Sequence, residues 1–116
     1  MAWKKASLEL NELHSSLAEV YPCDKRQMFG FQVYFLNDNM FTGVYEDCVT
    51  LRLSREDKAA VMEKHDEVVP FTPMGREMRE YVLIPEAMLA DREFTSEWFG
   101  RSYAYTSALP AKVKKK

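Results

Sequence analysis

The spacing of apolar residues changes along the chain from helical to alternating and back. Trp3, Ala6, Leu10, Leu13, Leu17 and Val20 recur at steps of three and four, which stacks them on one face of a helix. Glu9, Asn11, Glu12, Ser15, Ser16 and Glu19 fall mostly on the other side. Pro22 ends this helix, because a proline pushes the residue before it out of helical dihedrals. From Gln27 to Leu36 the period drops to two. Phe29, Phe31, Val33 and Phe35 then point one way, and Met28, Gln32, Tyr34 and Leu36 the other.

Asn37-Asp38-Asn39 has turn chemistry, since Asn and Asp tolerate left-handed dihedrals, and a three-residue loop with Asn39 left-handed suits a hairpin. Met40 to Tyr45 is the predicted return strand, Glu46-Asp47 a second tight turn, and Cys48 to Leu53 a third strand. Its Val49, Leu51 and Leu53 face inward while Thr50 and Arg52 face out, which predicts that one side of the sheet meets water.

Ser54-Arg55-Glu56-Asp57 has the form of a helix N-cap, and a short helix to about Lys64 should bury Ala60 and Val61 weakly. Val68-Val69-Pro70-Phe71 returns to extended structure. Pro70 has no ladder donor, so this strand belongs at an edge or bulge. Thr72-Pro73-Met74-Gly75 is a turn, followed by a last strand from Arg79 to Ile84. Pro85-Glu86 opens a short helix. Asp91 caps a final one ending near Leu109, whose stripe of Phe94, Trp98, Tyr105 and Leu109 covers the sheet. The expected fold is α+β: an antiparallel sheet of about five strands, a meander plus edge strands, with the N- and C-terminal helices packed on it.

Length and charge narrow the function classes. At 116 residues the chain predicts one domain spanning 1–116, with 111–116 a flexible basic tail. The 16 Lys+Arg against 18 Asp+Glu leave a net charge of -2, which argues against strong nonspecific binding to nucleic acid. Lys25, Arg26 and the lysines from Lys112 to Lys116 are the residues that a weak nucleic-acid contact would use. No apolar run approaches the roughly 20 residues of a membrane-spanning helix. Cys23 and Cys48 are isolated thiols that fit a reducing compartment, so a cytoplasmic protein without membrane contact is expected.

By Met40 the pattern carries a resemblance. Arg26-Gln27-Met28-Phe29-Gly30, then Met40-Phe41 after the turn, resembles the TfoX N-terminal-domain family, whose members open with a basic-x-Met-Phe-Gly-Gly strand. Phe71, Gly75-Arg76-Glu77-Met78 and Tyr81-Val82 are similar to that family's Phe…Gly-Arg-Pro-Met…aromatic stretch, and Trp98-Phe99…Ala108-Leu109-Pro110 to its closing helix. The likeness spans about residues 5 to 110, with Phe31 at the family's second glycine and Glu77 at its proline. It implies an α+β domain in the cytoplasm and a stand-alone, single-domain member. In longer members with a further C-terminal helical domain it implies regulation of bacterial competence genes.

Catalytic and metal chemistry find little support. His14 and His65 lack the close companion ligands that a metal site needs. Cys23, beside Asp24-Lys25-Arg26, has no resolving cysteine or adjacent histidine. Glu46-Asp47, Glu56-Asp57 and Asp66-Glu67 fall at solvated turns or helix starts, where their carboxyls stay ordinary. The glycines are isolated, so no phosphate loop or nucleophile elbow is present. Neither enzyme nor cofactor is expected.

The strongest candidate is the Phe71–Tyr81 stretch, which places Arg76 and Arg79 beside Phe71, Met74, Met78 and Tyr81. Cations next to apolar anchors are a common composition for protein-binding surfaces. Phe71, Arg76, Met78 and Tyr81 are the expected contacts to an unidentified protein partner, Arg76 giving orientation; a turn with solvated arginines is the plainer reading. Phe99 and Tyr103, on a second face of the last helix, would form a homodimer patch if exposed, and otherwise pack against the first helix. A small-ligand pocket lined by Tyr34, Tyr45 and Phe71 is the alternative binding function.

Overall fold

The computed structural model describes residues 6–28 and 30–110. The expectations placed on Trp3, Phe29, the side chain of Met74 and the lysine tail lie outside the described residues. The chain folds as α+β; the described residues form a six-stranded antiparallel sheet, three α-helices and two 3-10 helices, one of which, Glu86–Ala90, is the short helix expected after Pro85. The strands are β1 (Asp24–Met28), β2 (Phe31–Leu36), β3 (Asn39–Tyr45), β4 (Cys48–Arg52), β5 (Val69–Pro70) and β6 (Tyr81–Pro85), in the spatial order β1-β2-β3-β4-β6-β5.

The sheet has six strands, one more than the expected five or so, because the apolar run beginning at Gln27 divides. Gly30 takes φ +83°, a region that side-chain-bearing residues avoid, and the chain reverses so that Met28 pairs with Phe31. β1 is thereby a separate, exposed edge strand. The next hairpin is tighter than expected. Asn37 and Asp38 take φ of 51° and 66° in a two-residue loop, and Asn39 already belongs to β3. The buried Asn39 amide donates to the carbonyl of Pro110 at 3.0 Å. The predicted edge position of Pro70 is observed, with β5 outermost beside β6.

Helix α1 (Leu8–Ala18) starts at Ser7, whose hydroxyl accepts from the Leu10 N–H at 3.0 Å. Its fully buried line is Leu10, His14 and Ala18, at steps of four. Leu13 and Leu17 flank that line half-buried, and Val20 is exposed beyond the helix end. Ser54 and Asp91 cap α2 (Arg55–Lys64) and α3 (Arg92–Ala108) as predicted, accepting from Asp57 N–H and Phe94 N–H, each at 3.1 Å.

The buried face of α3 departs from the ring-based stripe. Phe94, Thr95, Trp98, Phe99, Ser102 and Thr106 are buried, while Tyr105 turns aside to donate to Glu80 Oε2 at 2.7 Å. Phe99 is 1% exposed, and half-buried Tyr103 stacks on Tyr21 with ring centroids 4.7 Å apart. Of the two readings for these rings, a surface patch if exposed or packing against the first helix, the structure gives burial.

Helices α1 and α3 cover one side of the sheet, over Tyr34, Phe41, Val49, Leu51, Val82 and Ile84. A bulge where β2 meets β3 lets consecutive residues Phe41 and Thr42 both reach that side. The opposite side was expected to meet water at Thr50. Thr50 is instead 2% exposed, and Phe31, Val33 and Phe35 beside it are buried as well. Both alternations of β2 are apolar enough to bury, which is the pattern of a strand covered on two faces. What covers this second face is the segment following β5.

Candidate binding pocket

The segment from Phe71 to Tyr81 closes on itself over the open face of the sheet. Pro73–Gly75 make a 3-10 turn that ends with Gly75 at φ +80°, as the Thr-Pro-Met-Gly signal predicted. The Met78 N–H donates to the Phe71 carbonyl at 2.8 Å, and the Tyr81 N–H to the Met78 carbonyl at 3.1 Å. Lys58 of α2, 7% exposed, clamps the segment from below. Its ammonium donates to Glu77 Oε2 and to the Arg79 carbonyl, each at 2.7 Å. Glu77 thus carries an ion pair to a buried lysine.

Between this segment and the sheet lies a cavity of about 200 Å³. Met28 of β1, Phe31 and Val33 of β2, Met40 and Tyr45 of β3 and Thr50 of β4 form its floor and one wall; Phe71, Pro73 and Met78 form the other. The Phe71 ring meets Tyr45 edge-on, with centroids 5.0 Å apart. Gly43 faces this side between Val33 and Thr50. A Cβ there would lie 2.6 Å from Val33 Cγ1, so the missing side chain is what admits Val33.

The four expected contact residues divide by role. Phe71 and Met78 line the cavity, and Met78 is 39% exposed at its lip. Arg76 lies in the turn between the lining residues Pro73 and Met78, exposed, with no ion pair among the described residues. Tyr81 stands behind the wall: it is 8% exposed, and its hydroxyl donates to the Met40 carbonyl at 3.3 Å. Burial pushes its phenol up to about 12, against the opposing charge of Arg52, whose guanidinium lies 5.4 Å from the ring centre. Arg79 is separate again, lining a groove beside α2 with Arg55, Met62 and Tyr105.

Five other sequence candidates take different places. Tyr34 is on the helix side, donating to Glu19 Oε2 at 2.6 Å, so it does not join Tyr45 and Phe71 in one pocket. His14 is fully buried beneath α1: Gln32 Nε2 donates to its Nδ1 at 3.0 Å, and its Nε2 donates to Thr42 Oγ1 at 3.1 Å. Thr42 in turn donates to the Thr50 carbonyl, which fixes the direction of the chain of bonds. Burial, with the charge of Lys25 adding, lowers the His14 pKa to about 3, so the ring is neutral. Cys23 is pushed up by burial and by Glu19 and Asp24, the reverse of an activated thiolate. Lys25 and Arg26 face Glu19 and Asp38 at 3.9 and 2.9 Å.

Among the described residues no group of three His, Cys, Asp or Glu side chains is placed to hold a metal ion. No described helix is long and apolar enough to cross a membrane. Met28, Phe31, Val33 and Met40 were not singled out as site residues. Their signal is the apolar occupancy of both faces of β2, combined with methionines at 28, 40 and 78.

No curated protein and no solved structure is significantly similar to the chain. The sequence profile of the TfoX N-terminal domain matches residues 15–105, a span that includes all six strands, α2, the cavity and most of α3. The chain belongs to the TfoX N-terminal domain family.

Proposed function

We propose that this chain is a regulatory interaction module that binds another protein through the cavity between Phe71–Met78 and the open face of the sheet. The observation that carries this reading is an apolar cavity of about 200 Å³ with, in the turn at its lip, an exposed arginine that has no ion pair among the described residues. Among the described residues its walls hold no carboxylate, imidazole or thiol, so what they offer a ligand is burial, not proton transfer. The volume is below the roughly 300 Å³ at which drug-sized pockets begin, and it suits one inserted side chain better than a cofactor. Family membership supports a regulatory role by analogy, through the competence-gene regulation that the resemblance implies for longer members.

A pull-down from the native host tests this reading. Phe71 is a poor probe because its ring is buried against Tyr45, so its loss would disturb the whole segment. Met78→Asp and Arg76→Gln change exposed side chains instead. Both variants should fold, and each should lose the captured partner, while Val20→Asp on the far side should retain it. Full retention by folded Met78→Asp would refute the assignment.

A further inference from the structure

The open face has an apolar centre and an arginine periphery. Arg26 of β1 lies over Phe35 at 4.4 Å from the ring centre, Arg52 of β4 lies over Tyr81 at 5.4 Å, and Arg76 occupies the turn beside the cavity. Asp38 neutralises the first at 2.9 Å, and Glu80 the second at 2.7 Å. Burial opposes ionisation of Glu80, but hydrogen bonds from Tyr105 and Arg52 outweigh it and hold the carboxyl below its ordinary value, so the Arg52 pair is satisfied. Arg76 alone of the three has no carboxylate partner among the described residues.

We propose, building on the interaction reading above, that the cavity takes one aromatic or branched apolar side chain from an acidic segment of a partner protein, with Arg76 pairing a carboxylate next to that anchor. The size fits: a dry apolar cavity of roughly 150 Å³ accepts a benzene ring, and this one measures about 200 Å³. The walls fit as well, because Met28, Met40 and Met78 are unbranched and can close around anchors of different shape. The charge fits an acid and opposes a base. A lysine-rich segment would bring cations to a face whose open electrostatic valence is Arg76.

The test is a titration of the full ¹⁵N-labelled chain, at low salt, with three blocked pentapeptides: Asp-Asp-Phe-Asp-Asp, Lys-Lys-Phe-Lys-Lys and Asp-Asp-Ala-Asp-Asp. The first should shift the amides of Val33, Thr50 and Met78 saturably, and bind about fivefold or more tighter than the second. The alanine peptide should leave Val33 and Thr50 unmoved. Arg76→Gln should bring the two phenylalanine peptides within about twofold of each other. Equal binding of the acidic and basic peptides by the native chain would overturn the acidic occupant, yet leave the cavity reading standing. So would concentration-dependent shifts of the same amides without peptide, which would assign the cavity to a second copy. If no peptide moves these amides and Met78→Asp still captures its partner, the cavity itself is the wrong surface.

Discussion

His14 has both ring nitrogens engaged, accepting from Gln32 and donating to Thr42, and no water reaches it. Its folded pKa of about 3 lies below the usual 6.5, so on acidification the unfolded chain takes up the proton first. The stabilisation from keeping this ring neutral is complete above pH 6.5 and declines as pH falls from 6.5 toward 3, at up to about 1.4 kcal/mol per pH unit. Urea unfolding at pH 7 and pH 4.5 should show that loss in the native chain and a shallower one in His14→Gln; equal slopes would contradict the relay. One turn apart on α3, the hydroxyls of Ser102 and Thr106 are buried without a hydrogen-bond partner among the described residues. Ser102→Ala and Thr106→Val should each raise stability by about 1 kcal/mol, read as a higher urea midpoint, because they remove an unsatisfied polar group. Neither role was legible from the sequence. Helical spacing placed His14 beside the apolar stripe, but its partners come from strands 18 and 28 residues away.

At the scale of elements, local chemistry carried most of the assignment. Both predicted caps, the Pro-Met-Gly turn and the outermost place of Pro70 depend on a few adjacent residues, and all are observed. The extra strand escaped because Gly30 sits inside what reads as one alternating run. The covered second face escaped because Thr50 and Arg52 are polar. Yet Thr50 satisfies its hydroxyl on the Gly43 carbonyl at 3.2 Å, and Arg52 binds Glu80, so neither needs water. Gly43 links β2 to that face most directly. Gly43→Ala should cost about 1–3 kcal/mol, since the new methyl group meets Val33. Pairing it with Val33→Ala should cost less than the sum of the two single changes. Strict additivity in that double-mutant cycle would show that the two residues do not compete for space.

For the molecule as a whole, two layers of different quality enclose the sheet. Helices α1 and α3 seal one side with Trp98, Phe99 and Leu10, whereas one clamped loop covers the other and leaves a cavity behind it. Lys58 matters at this scale because it ties α2 to the loop through the Glu77 carboxylate and the Arg79 carbonyl. The sequence marked the loop as a candidate site through its arginines and apolar anchors. It could not show that Tyr81 supports the wall from behind or that Arg79 turns toward another groove, because both depend on how β6 enters the sheet. The most direct measurement places a photo-crosslinking amino acid at position 78, and separately at position 20, in the full chain expressed in its native host. Irradiation should join a partner protein at position 78, less efficiently with Arg76→Gln, and leave position 20 unmodified. A partner captured at position 20 and not at 78 would contradict the claim that the cavity on the open face is where this protein binds.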